Sequence, residues 1–261
     1  MSSPDEIALK FIDIGKTKTS LKADKAFVLA IFAGMFIAFA GIGYTVAGAT
    51  VENQSLAKFI GACVFPGGLA MVSLAGSELF TGNCLIFIPV LNKDVKITAM
   101  LKNWAIVFVG NLIGSLIVAF LVVYSGIPSL FNNAVAQYMV SVAGSKAALS
   151  PISAVFRGIL CNFLVCTAVW ITVGSKDAAG KVLGLFFPIM IFVLCGFEHS
   201  VANMYYIPTG LMASAQYGIE SSLSLLTCAQ NIIFVSIGNI IGGSVMFASG
   251  YWFSYLKERQ N

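Results

Sequence analysis

The one histidine of the chain, His199, lies in Gly196-Phe197-Glu198-His199-Ser200-Val201-Ala202-Asn203, a polar interruption inside an apolar run. A second interruption, Gly76-Ser77-Glu78-Leu79-Phe80-Thr81-Gly82-Asn83, has the same Gly-x-Glu-x4-Asn spacing 120 residues earlier. An imidazole donates an N–H and exchanges a proton near neutral pH, and a threonine hydroxyl both donates and accepts. Ionisable groups at membrane depth are costly, so a matched pair in two broken segments marks a binding site or a pathway. A half-helix starting after each break would also turn unpaired N–H groups and its positive dipole end toward the gap, which favours an anion. Thr81 and His199 together suit a small monovalent anion with a protonatable form. The plainer reading of His199 is a packed imidazole bonded to a neighbour.

The glutamates call for another role, because ionised carboxylates facing an anion path would repel its cargo. Neighbours on a helix point about 100° apart, which puts Glu198 and His199 on different faces. Glu78 and Glu198, with Asn83 and Asn203, are expected to hold the helix breaks, the carboxylates accepting from loop N–H groups left unpaired there. A carboxylate proton relay is the alternative.

The elements that must position these groups are set by composition. With 58% hydrophobic and 10% charged residues and a mean hydropathy of +0.91, the chain has too little polar surface for a water-soluble domain. Apolar stretches able to cross about 30 Å of hydrocarbon fall at 27–49, 57–91, 98–124, 151–174, 182–213 and 223–256. The second carries Pro66, Gly67, Gly68, Gly76, Gly82 and Pro89, and the fifth Pro188, Gly196, Pro208 and Gly210. Six spans are expected, with spans two and five broken. Twelve of the fifteen Lys and Arg then share one side, leaving Lys58, Lys146 and Arg157 for the other. That asymmetry predicts a multi-pass protein of the cell (inner or plasma) membrane with cytoplasmic termini. The net charge of +4 is accounted for by topology, and no nucleic-acid partner is expected.

Residues 1–26 lack a secretory signature. Ile7, Phe11 and Ile14 at helical spacing make them either a cytoplasmic amphipathic helix on the lipid interface or a solvated leader. Residues 27–256 form the six-span domain and 257–261 a cytoplasmic tail. Cys63, Cys84, Cys161, Cys166, Cys195 and Cys228 show no Cys-x-x-Cys pair and read as small buried hydrophobes. No metal or cofactor is expected.

The chain is also a duplication. Ala30–Phe39 aligns with Ala154–Phe163 at an offset of 124, and Asn103, Gly110, Asn111 and Gly114 align with Asn231, Gly238, Asn239 and Gly242 at 128. Each half, about 27–124 and 151–256, has three crossings. The second half must therefore enter from the opposite side, giving an inverted 3+3 repeat whose sites lie near the midplane. The glycines four apart read as close-packing surfaces, and Asn111 and Asn239 as fasteners of the breaks. Lys146, just ahead of span four, would either raise the local anion concentration or be a solvated loop charge. By type alone Phe65, Leu69, Leu79, Phe80, Val165 and Phe192 are core residues.

Glu78-Leu79-Phe80-Thr81, Lys102-Asn103-Trp104, Arg157 to Asn162 with Leu164-Val165-Cys166 and Trp170, and Gly196 to Met204 resemble the formate/nitrite transporter family over nearly the whole chain. That resemblance implies an all-α integral membrane protein with an aquaporin-like protomer, a homopentamer in the bilayer, and a separate pore in each subunit. It implies two hydrophobic constrictions, formed by Phe65, Leu69, Leu79, Phe80, Val165 and Phe192, around a chamber. It makes His199 the chamber histidine, Thr81 the loop threonine, and Lys146 and Asn162 the vestibule lysine and its associated asparagine. It also implicates the N-terminal helix and the threonine loop in gating. Gly82-Asn83 after Thr81 departs from formate channels, in which Ser-Thr or Ser-Ser follows. The chain looks closest to the hydrosulfide-channel branch, so hydrosulfide is the favoured substrate, formate and nitrite are also expected, and flux past His199 should depend on pH. A water, glycerol or ammonia channel fits less well, since Asn-Pro-Ala pairs and a second lumenal histidine are missing. Neither Ser-His-Asp spacing nor a metal cluster suggests an enzyme.

Overall fold

The computed structural model describes residues 1–260, which contain no β-strand. Among the described residues, five helices are long and apolar enough to cross a membrane: Ala23–Gly48 (α2), Gln54–Ala75, Ile97–Tyr124 (α7), Pro151–Gly174 (α9) and Leu225–Tyr255. Gln54–Ala75 is two segments, Gln54–Val64 (α3) and Pro66–Ala75 (α4), because Pro66 has no N–H with which to continue the helix. After its break come Phe80–Asn83 (α5), a tight turn, and Phe87–Leu91 (α6). The expected fifth span is divided into Ala178–Leu194 (α10) and Ser200–Tyr217 (α11), neither of which is both long and apolar enough to count as a crossing by itself. The last span consists of Leu225–Ile240 (α12), a π-helical stretch Ile241–Ala248, and Ser249–Tyr255 (α13). Of the predicted tail, Lys257–Gln260 form a short turn, and Asn261 lies outside the described residues.

Both breaks have the same backbone design. Gly76 and Gly196 adopt φ of +73° and +70°, a left-handed conformation that a side chain would strain. The chain then runs extended to Leu79 and His199, which sit at φ/ψ of −111°/125° and −109°/116° immediately ahead of the two half-helices. Asn111 and Asn239 close the breaks. Asn111 Oδ1 accepts from Phe80 N–H at 2.9 Å, and its Nδ2 donates to the carbonyls of Ala30 and Glu78. Asn239 Oδ1 accepts from Ser200 N–H at 2.9 Å, and its Nδ2 donates to those of Gly158 and Glu198.

These bonds correct the repeat alignment. Asn111 and Ala30 lie 81 residues apart in sequence, as do Asn239 and Gly158. A side chain on Gly114 would strike the Ile31 carbonyl, and one on Gly242 the Ile159 carbonyl. Ile31 therefore matches Ile159, so spans one and four share the offset of 128 found for spans three and six. The expected 124 is one helical turn out, a slip that leaves the same residue types on the same face.

The repeat also starts earlier than expected. A helix over Pro4–Ser20 (α1) precedes span one, and Ala134–Ala147 (α8), unforeseen in the sequence reading, precedes span four. At the offset of 128 Ala8 matches Ala136 and Lys18 matches Lys146. α1 begins with Pro4 and a Ser3 N–H bond to Glu6, and its apolar stripe is buried, with Phe11 stacked 5.2 Å from Trp170. Lys16 pairs with Asp94 at 2.6 Å and Arg259 with Asp5, so α1, the span two–three connection and the C-terminal end share one face of the molecule. Here that face is termed the termini side.

Candidate functional site

The two breaks meet through one hydrogen bond, between Thr81 Oγ1 and His199 Nε2 at 2.8 Å. Both side chains are buried, Thr81 at 0% and His199 at 3% exposure. His199 Nδ1 accepts from Ala202 N–H at 3.1 Å, capping α11. That bond requires an unprotonated Nδ1, so Nε2 carries the proton and donates to Thr81. The Thr81 hydroxyl proton is then left to donate onward. The expected supply of free N–H groups at the half-helix ends is smaller than supposed, since Asn111, Asn239 and His199 itself have taken three of them.

A cavity of about 10 Å³ beside this pair is lined by Ile37, Phe65, Leu69, Leu79, Val165, Ile189, Phe192 and His199. That is room for about one water molecule. Phe65 and Phe192 close one end edge to face at 5.8 Å, and Phe192 also lies flat against the His199 ring at 6.0 Å. Phe80 does not line the cavity. Its N–H is held by Asn111, and its ring packs on Trp104 and Phe108 of span three. Ile37 and Ile189 do line it, and nothing in their sequence context set them apart from other span residues.

Vestibules open on either side. The termini-side one, about 270 Å³, is lined by residues that include Lys18, Glu78, Leu79 and Lys181. The opposite one, about 430 Å³, reaches His199 and contains Lys58, Lys146, Arg157 and Glu198. Lys146 belongs to the last turn of α8 and is not a loop charge. Its ammonium pairs with Glu198 at 3.0 Å and lies over the Tyr206 ring. Asn162 is not in the vestibule: it is fully buried and donates to the Asn239 carbonyl at 2.7 Å, tying span four to span six.

The glutamates are bonded differently from the expectation, through side chains instead of loop N–H groups. Glu78 accepts from Lys18 at 2.6 Å and from Asn83 at 2.7 Å; Asn83 also donates to Asn103, which donates to the Lys18 carbonyl. Glu198 accepts from Lys146 and Asn203; Asn203 also donates to Asn231, which donates to the Lys146 carbonyl. Each break is thus locked by a Lys-Glu-Asn-Asn chain. The sequence reading missed Lys18, although its offset of 128 from Lys146, shared with the Asn103–Asn231 pair, was there to be found. Glu198 and His199 do point apart, but by the alternation of an extended strand and not the turn of a helix.

The formate/nitrite transporter family model matches residues 5–253. A probable formate transporter from Methanothermobacter thermautotrophicus is 38% identical, with 98% of each chain covered. The Escherichia coli K12 formate channel FocA is 34% identical over 95% of this chain and 93% of its own length. Among solved structures, a pentameric formate channel with formate bound superposes with a TM-score of 0.80 at 32% identity, covering 90% of this chain and 98% of that one. An FNT family ion channel superposes with a TM-score of 0.86 at 27% identity, covering 95% and 98%. The fold is the aquaporin-like one of these channels. Matched by the family model over residues 5–253 and by a relative along 98% of its length, the chain belongs to the formate/nitrite transporter family of membrane transport channels.

Proposed function

We propose that the protein conducts small monovalent anions of weak acids, one pathway per subunit, between the two vestibules and past the Thr81–His199 pair. The observation that carries this reading is the 2.8 Å bond that makes those two side chains the polar contact of an otherwise apolar midplane. An anion moving from a vestibule into that space sheds water, and each lost hydrogen bond must be replaced. Thr81 O–H, backed by His199 Nε2–H, supplies one. A neutral imidazole shares its proton but does not surrender it, since that would leave an imidazolate. The proton that neutralises the anion comes from vestibule water, and flux falls as pH rises beyond the range in which the acid form is available.

Formate is favoured by the curated relatives and by the formate-bound neighbour. Hydrosulfide, whose acid ionises near neutral pH, is favoured by Gly82-Asn83 after Thr81. The likeness to a pentameric channel supports a homopentamer, and the lysine asymmetry supports a cytoplasmic termini side in the cell membrane. Light scattering of proteoliposomes challenged in turn with hydrosulfide, formate, nitrite, chloride and glycerol tests the proposal. Weak-acid anions should pass faster than chloride and glycerol; glycerol passing fastest would make this a neutral-solute channel.

A further inference from the structure

Lys146 carries the only ion pair that any cation of the 430 Å³ vestibule makes among the described residues, and its partner, Glu198, is the one carboxylate lining that space. Lys58 and Arg157 line it too, without carboxylate partners. Glu52 and Glu220, the other carboxylates on this side, are not among its lining residues.

The two unpaired cations come from different halves of the repeat, Lys58 from α3 and Arg157 from α9, and converge over Gly196. Around the point that a Cβ on residue 196 would occupy, Lys58 Nζ lies at 3.0 Å and Arg157 Nη1 at 3.9 Å. Arg157 is steadied by donating to the Gly196 carbonyl at 3.4 Å, which uses one of its five N–H groups. Glycine at this position, required by the left-handed turn, also leaves room for both charges above the backbone. Two like charges this close repel, and an anion seated between them removes the repulsion. Arginine offers a planar fork that matches a carboxylate, and lysine a compact ammonium.

Resting on the transport reading above, we propose that Lys58 and Arg157 form an anion-collecting subsite at the mouth opposite the termini. This pair, and not the neutralised Lys146, supplies the vestibule's net positive charge. The ligand class is a small monovalent anion, a carboxylate such as formate first. Charge focused in a cleft raises the capture rate by tenfold or more at low salt and is lost when the field is screened.

The test is formate flux at sub-saturating concentration in proteoliposomes, wild type against Lys58→Met/Arg157→Met, at about 10 mM and about 1 M of an impermeant salt. The variant should be slower by about tenfold at low salt and within about twofold at high salt. Lys58→Arg/Arg157→Lys should retain the wild-type salt response. Equal rates at low salt, or a deficit that salt does not alter, would overturn the proposal. If the double variant fails to assemble, the wild type decides alone: its flux must fall steeply with salt, and a flat profile refutes the subsite. A wild type that moves no anion at either salt counts instead against the transport reading.

Discussion

Replacing Asn239 by leucine should unlatch the second break at a cost that can be worked out from its bonds. The leucine leaves Ser200 N–H, fully buried, with no acceptor, and removes one donor each from the Gly158 and Glu198 carbonyls. An orphaned buried N–H costs about 1–3 kcal/mol, and a polar side-chain bond within a membrane about 0.6 kcal/mol. The total is about 3 kcal/mol, of which the N–H accounts for most. Asn111→Leu orphans Phe80 N–H and strips the Ala30 and Glu78 carbonyls, so it should cost the same within about 1 kcal/mol. Ser236→Ala, which removes only a hydroxyl bonded back to Ile232 one turn away, should stay within about 0.5 kcal/mol. Reversible unfolding in mixed detergent micelles, followed by circular dichroism, measures all three. If Asn239→Leu were as mild as Ser236→Ala, or the two asparagines differed several-fold, the latch and the symmetry argument would both fail.

Other outcomes follow from named contacts. Lys146→Met leaves the buried Glu198 without its cation and should destabilise by about 3–5 kcal/mol, whereas Lys58→Met should be nearly neutral in the same unfolding assay. Gly242→Ala drives a methyl into the Ile159 carbonyl and should cost about 1–3 kcal/mol as span six is pushed off span four, readable as a lowered midpoint. At the termini side, the Lys16 ammonium, with Asn92, holds the Asp94 carboxyl below its usual value of 3.8, and Asp94 in turn raises Lys16 above 10.5. A lowered carboxyl pKa stabilises above the unfolded value and is lost as pH falls through the folded one; a raised lysine pKa is lost as pH rises through its own. The bridge anchoring α1 should therefore persist between those limits, and hydrogen exchange in residues 4–20 should accelerate once pH drops below 3.8.

The spans, the two breaks and the inverted repeat were legible because hydropathy, Gly/Pro interruption and residue spacing are properties of the chain itself. The 124 offset went wrong because a one-turn slip preserves a helical face, and only the Asn239–Gly158 bond decides the register. α8 was invisible because its composition between two apolar spans is weakly patterned, so Lys146 was mistaken for a loop residue. The Thr81–His199 contact was foreshadowed by the repeat, but its tautomer was not, since that depends on the Ala202 N–H meeting Nδ1. Asn162 and Phe80 were singled out by the resemblance alone, and their contacts with the Asn239 carbonyl and with Trp104 and Phe108 were not legible because direction around a buried helix cannot be read where both faces are apolar or packed.

The central claim is that Thr81 and His199 meet the permeating anion at the midplane. His199→Asn tests it most directly, because asparagine is a good N-cap for Ala202 N–H while the ring N–H that backs Thr81 is removed. In proteoliposomes, formate and hydrosulfide flux should fall by at least about tenfold, as expected for losing a buried hydrogen bond to a charged group, while the remaining flux should still decline with rising pH as the acid form is depleted. Unchanged flux would contradict the account.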